Sequence, residues 1–157
     1  CIWYPNPEYD LPIFGADIVG TKNFISAAIT DISPVDTISS PVYEHIGPIH
    51  SDYNFSNERE VPGWGEIFSP YCKFSRLETE NEQELFCELV NEYLRCFTKA
   101  ASNQKKIKKR TKARREGQIR YCENQKMNDK TRRLLAKYFG DEWAGKYISE
   151  VLFDHPV

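Results

Sequence analysis

The chain has 157 residues, enough for one buried core, with 40% hydrophobic and 13% aromatic residues and a formal net charge of −2. No apolar run approaches the length of a membrane span, so the composition predicts a soluble globular chain of one domain, residues 1–157. Five cysteines without CxxC spacing or nearby paired histidines argue against a zinc site and a disulfide framework, and point to a reducing compartment.

The chain opens at Cys1 directly into strand-like sequence, with no signal-peptide pattern, and reads as a piece of a longer reading frame. Tyr9 to Gly20 (YDLPIFGADIVG) is a nearly unbroken apolar run, which predicts a strand buried on both faces. Its one internal carboxylate, Asp17, would share a face with Ile13, Gly15 and Val19 in a poorly solvated space where ionisation is disfavoured. That setting suits a general acid near neutral pH, and equally a structural hydrogen-bond acceptor; the pattern leaves both open.

Thr21, Lys22 and Asn23 form a polar turn into a second apolar run, Phe24 to Ile32, and the pair predicts an antiparallel hairpin. Ser26 lies inside the second strand, where its hydroxyl serves either a ligand or the backbone. Asp31, at the exit before Ser33 and Pro34, reads as a turn acceptor. Residues 35–63 read mostly as loop, with a short helix near Val42 to Ile46. A block dense in Pro, Gly and aromatics follows, and then a third short strand, Tyr71 to Arg76.

Thr79 to Glu82 has the form of a capping box, and Leu85, Leu89, Tyr93 and Phe97 recur every four residues, predicting an amphipathic helix from Glu80 to about Lys99. Residues 105–115 (KKIKKRTKARR) hold eight of the 21 basic residues and no acid, leaving 13 basic against 23 acidic residues elsewhere. Such a run is either a docking surface for an acidic partner or a solvated face. Gln118 to Met127 predicts a further helix, and Asn128-Asp129 caps another that carries Leu134, Leu135, Tyr138 and Phe139 inward until Gly140. The last helix presents Trp143, Tyr147, Ile148, Val151 and Leu152 on one face. His45, His50 and His155 lie in loop-like or terminal sequence and read as solvated, with no metal assigned. Strands early, helices late and no βαβ alternation give an α+β class with an antiparallel sheet covered by helices.

Several of these blocks together resemble the ferredoxin-dependent bilin reductases. They are YDLPIFGAD, SAAI (Ser26 to Ile29), Arg59-Glu60 with WGEIFS (Trp64 to Ser69), GQIRYC (Gly117 to Cys122), NDKTRR (Asn128 to Arg133) and YISEVLFD (Tyr147 to Asp154). Order and spacing agree over nearly the whole chain, and NDKTRR, WGEIFS and SAAI are most similar to the phycocyanobilin-forming branch. The resemblance implies an α/β/α sandwich with a central antiparallel sheet flanked by helices, holding biliverdin IXα between sheet and helices. It implies no bound flavin, nicotinamide or metal, and electrons delivered singly by reduced ferredoxin.

Carried over residue by residue, the resemblance makes Asp17 the catalytic group that protonates the bilin. Ser26, Arg59 and Lys130 would hold the propionates, and Asn128 would lie near the pigment. Without it, Arg59 and Lys130 read as ordinary surface cations. The implied reaction is two successive two-electron reductions of biliverdin IXα to phycocyanobilin; the alternatives are a relative making phycoerythrobilin or phytochromobilin, and a non-catalytic bilin binder. The basic run, which the family pattern does not contain, is the candidate ferredoxin dock. No nucleic-acid or membrane partner is expected, because the run lacks interleaved aromatics and the rest of the chain is acidic. The expected state is a monomer, in the cytoplasm of a photosynthetic bacterium or a plastid stroma. The family's catalytic His immediately before the position of Cys1, and a Glu further upstream, are not in this sequence. With N-terminal strands absent too, the isolated chain is expected to fold poorly or be inactive, its sheet having an unpaired edge.

Overall fold

The structure is a computed structural model that describes residues 1–20, 22–36 and 42–156. Thr21, expected in the hairpin turn, and residues 37–41 of the expected loop lie outside the described residues. Five strands form one antiparallel sheet: β1 (Ile2–Trp3), β2 (Ile13–Gly20), β3 (Ile25–Ser33), β4 (Asn57–Glu58) and β5 (Lys73–Leu77), in the order β1-β2-β3-β5-β4. The β2–β3 hairpin is the long central pair, with Ile13 opposite Ser33, Gly15 opposite Asp31 and Asp17 opposite Ile29. Its register is irregular at Val19/Gly20, and β3 shifts against β5 between Ile25 and Ala28.

Alternation sends Phe14, Ala28 and Ile32 to one face of the sheet and Ile13, Gly15, Asp17, Ile29 and Asp31 to the other. The first face is covered by helices α1 (Tyr43–Asp52) and α2 (Glu80–Asn103). Its core joins Phe14, Ala28, Ile32 and Leu77 of the sheet to Ile46 of α1 and to Phe86, Leu89, Tyr93 and Phe97 of α2. The four-residue periodicity of α2 thus packs as its sequence predicts, and the helix runs one turn beyond Lys99. Thr79 caps it, its hydroxyl accepting from the Glu82 N–H at 3.3 Å. Glu82 reaches outward to accept from the Ser56 N–H at 3.0 Å, tying the helix start to the loop before β4.

The second face is built differently. Among the described residues the α2 side buries twelve core residues, where this side has two smaller clusters of four and three. A 3₁₀ turn (Gly65–Ile67) and helix α3 (Thr111–Lys126) close one end, packing Ile67 and Tyr121 on Ile13 and Val35. Helices α4 (Asp129–Phe139) and α5 (Asp141–Tyr147) follow, and α5 runs into a π-helical turn, Ile148–Leu152, closed by the Phe153 N–H on the Ile148 carbonyl at 2.9 Å. The sparse packing here leaves a hollow beside the hairpin.

Two expectations need correction at this level. The Asp17 strand is not buried on both faces: Ile13 and Phe14 are buried, but Asp17 is exposed because the second face is covered only at its Ile13 end, and Ile18, on the first face, is exposed as well. Nor does α4 bury the residues assigned inward. None of its residues is buried, and Tyr138 and Phe139 are 68% and 58% exposed. Instead Phe139, Trp143 and Tyr147 form a ladder of rings with centroids 4.6 and 4.8 Å apart between the two helices.

The basic run is half structural. Arg114 is 2% exposed, and its Nε donates to the Pro7 carbonyl at 2.8 Å while its Nη2 donates to the Ile107 carbonyl. Lys106 pairs with Glu8 at 2.6 Å, and Arg110 pairs with Asp36. Together with Gln104 on the Asp10 carbonyl and Gln118 on the Pro5 carbonyl, the Lys106 and Arg114 contacts strap the β1–β2 connection to the α2–α3 connection and the first half of α3, while Arg110 ties to the segment after β3. No described helix is long and apolar enough to cross a membrane.

Candidate functional site

The hollow on the second face is a cavity of about 660 Å³, within the range of small-molecule sites. Its floor is the β2–β3 hairpin, through Gly15, Asp17, Val19, Ala27, Ile29 and Asp31. Trp64, Phe68 and Phe74 form an aromatic wall on one side, Tyr121 and Gln125 of α3 another. Cys1, Ile2 and Tyr4 around β1, the start of α4 and the π-turn segment Val151 to Asp154 complete the lining. A π turn adds a residue to the helical repeat, and here it carries Val151 and Leu152 to the cavity while Ile148 stays in the core.

All five residues singled out by sequence line this one cavity: Asp17, Ser26, Arg59, Asn128 and Lys130. They come from β2, β3, the segment after β4, and the start of α4, so only the tertiary fold brings them together. Asp17 is exposed within it, in place of the expected burial. Ser26, at the irregular end of β3, donates its hydroxyl to the Val19 carbonyl at 3.0 Å, so the backbone and the cavity both use it. Its free lone pairs accept; donating to a carboxylate requires that proton to be redirected.

Arg59 and Lys130 are exposed, and neither forms an ion pair among the described residues. The Arg59 guanidinium lies over the Phe74 ring at 5.6 Å, which orients the cation along the aromatic wall. Asn128 is the N-cap of α4, its side-chain oxygen accepting from the Lys130 N–H at 3.2 Å. That bond fixes the amide orientation and leaves the NH₂ group for a ligand.

The buried acid of the cavity is Asp31, which sequence reading treats as a turn acceptor. It does accept: from the Ser33 hydroxyl at 2.6 Å, the Ser69 N–H at 2.9 Å and the Ser69 hydroxyl at 2.5 Å. These bonds tie the end of the aromatic wall to β3. Burial pushes its carboxyl up to about 6, although the serine hydrogen bonds pull the other way. Tyr121 was likewise not singled out. Its hydroxyl accepts from Gln125 at 2.9 Å and is held above Gly15, where a Cβ would stand 3.2 Å away. Burial raises its pKa, so the phenol stays neutral. The signal for Tyr121 lay in the GQIRYC block, which marked the segment without saying which side chain faces a ligand.

The sequence of residues 1–154 matches the family model for ferredoxin-dependent bilin reductase. The chain belongs to this family. Phycocyanobilin:ferredoxin oxidoreductase of Gloeobacter violaceus is 43% identical over 99% of the chain and 63% of its own length. The enzymes of that name from a Synechococcus and from Prochlorococcus marinus are 45% and 38% identical, each matched over 65% of its length. The chain therefore spans about two thirds of these bilin reductases. A crystal structure of tomato phytochromobilin synthase in complex with biliverdin has the same fold, with a TM-score of 0.79 at 19% identity over 97% of this chain and 58% of that one. The α+β, antiparallel-sheet architecture of the bilin reductases is thus the architecture found here.

Proposed function

We propose that the protein reduces biliverdin IXα to phycocyanobilin with electrons from reduced ferredoxin. The observation that carries this reading is the convergence of Asp17, Ser26, Arg59, Asn128 and Lys130 on one cavity of tetrapyrrole-compatible size. Arg59 and Lys130 supply charge-assisted bonds to the two propionates, with Ser26 beside them. Asp17, on the sheet floor, delivers protons to the pigment as electrons arrive, and the Asn128 amide orients it. Trp64, Phe68 and Phe74 shield the conjugated system from water.

In this reading the pigment is itself the redox centre, and the protein carries no flavin, nicotinamide or metal. Each two-electron reduction consumes two protons, so the chain's task is proton delivery and orientation. Ferredoxin docks on the part of the basic run not used internally, namely Lys105, Lys108, Lys109 and Arg115. The protein acts as a monomer in the cytoplasm of a cyanobacterium or in a plastid stroma.

The test is anaerobic turnover of biliverdin with reduced ferredoxin by the full-length protein, the product being identified by absorbance and chromatography. Phycocyanobilin is the expected product, and Asp17→Asn is expected to retain biliverdin while losing turnover by about 100-fold or more. Phycoerythrobilin or phytochromobilin as product would overturn the regiochemistry. Bound, unreduced biliverdin under a verified electron supply would make the protein a non-catalytic binder, and an undiminished rate in Asp17→Asn would remove that residue's role.

A further inference from the structure

Gly15 faces Asp31 across the β2–β3 hairpin, and Asp17 faces Ile29. The two carboxylates therefore stand one diagonal step apart on the same face, about 7–8 Å between Cα atoms. Both line the cavity, but in opposite settings. Asp17 is exposed, whereas Asp31 is 2% exposed and fixed by three hydrogen bonds from Ser33 and Ser69. The residue opposite Asp31 across the hairpin is a glycine, and the Tyr121 hydroxyl stands over it on the cavity side.

The titratable groups that feel Asp31 come from every neighbouring layer: Tyr43 of α1, Cys72 before β5, Tyr93 of α2 and Tyr121 of α3. Burial raises the pKa of each, so all four are neutral at pH 7 and none answers the carboxylate's charge. Around the cavity itself the charged side chains are Arg59, Lys130, Asp17 and Asp154, all exposed, and the other titratable liners are Cys1 and Tyr4. Asp31 is thus the one buried charge among the described lining residues, and it is fixed by neutral donors rather than by a cation.

We propose that Asp31 is a buried counter-charge that stabilises positive charge on a nitrogen-rich ligand lying over the Asp17 end of the sheet, holding that ligand in its protonated form. This rests on the bilin reading of the cavity and adds a residue that neither gives nor takes the proton. The proton comes from solvent by way of Asp17, and Asp31 sets how firmly the ligand keeps it. The effect is present where Asp31 is ionised and is lost as pH falls through about 6. An anion at this range in a poorly solvated wall changes a neighbour's proton affinity by about tenfold.

The experiment uses biliverdin as probe, without reductant. Its absorption shifts on protonation, so a titration of the complex from about pH 6.5 to about 10 reads the proton affinity of the bound pigment. Asp31→Asn is expected to lower the midpoint by about one pH unit, because the amide keeps the shape and removes the charge. Asp31→Ser likewise removes the charge, with a smaller hydroxyl in place of the carboxyl, and is expected to lower the midpoint in the same direction. An unchanged midpoint in a folded, pigment-binding Asp31→Asn would overturn the counter-charge while leaving the bilin reading intact. Should that variant not fold, an unchanged midpoint in Asp31→Ser overturns it instead. Failure of the unmodified protein to bind biliverdin would sink both.

Discussion

Gly117 sits where α3 crosses the chain at Val35, so close that a Cβ would stand 1.6 Å from the Val35 carbonyl oxygen. Backbone cannot move aside as a flexible side chain can. Gly117→Ala is therefore expected to destabilise the protein by about 3 kcal/mol or more, read by denaturant unfolding. Gly145, inside α5, has nothing within 4 Å of its missing Cβ, and Gly145→Ala should stabilise by about 0.5–1 kcal/mol through helix propensity alone. The two acids differ in a related way. An apolar run suggested that Asp17 is buried, and a Ser-Pro signal suggested that Asp31 is a turn acceptor at a strand end. Asp17 is exposed, and Asp31, which does accept, is buried, because exposure depends on which face of the hairpin other elements cover, and that information is not local.

At the scale of elements, the basic run shows how one composition hides two roles. Arg114 is inside, satisfying the Pro7 and Ile107 carbonyls, while Lys109 is exposed and without an ion pair among the described residues. Arg114→Met leaves those carbonyls without their donor and is expected to cost about 2–4 kcal/mol in equilibrium unfolding. Lys109→Gln should stay within about 0.5 kcal/mol of the parent protein. Equal losses in the two variants would show that the strap is not what holds the β1–β2 connection. The helices divide similarly. The α2 stripe was legible because a broad apolar face packed on a sheet is the common outcome for a long amphipathic helix. The same reading failed for α4, since periodicity shows that a helix has an apolar face but not that another element covers it.

Across the whole molecule, the net charge of −2 conceals a local concentration of base. Once Lys106, Arg110 and Arg114 are assigned to internal pairs and hydrogen bonds and Lys112 to its pair with Glu116, Lys105, Lys108, Lys109 and Arg115 remain for a partner. Changing these four to Gln is expected to slow ferredoxin-driven turnover about 10-fold at low salt and to flatten its salt dependence, with single-turnover pigment binding unchanged. A salt profile identical to that of the parent would place the dock elsewhere.

The sequence by itself determined the hairpin, the long α2 helix, the cap at Asn128, the α+β class and the family, since each rests on local periodicity, turn chemistry or a string of residues in order. Only the tertiary structure decided that Asp17, Ser26, Arg59, Asn128 and Lys130 share a cavity, and that Asp31 is its buried acid. It also decided which half of the basic run faces outward. The physical reason is common to all three: shared space, burial and hydrogen-bond partnership arise between segments far apart in the chain, and no local pattern encodes which segment will cover which.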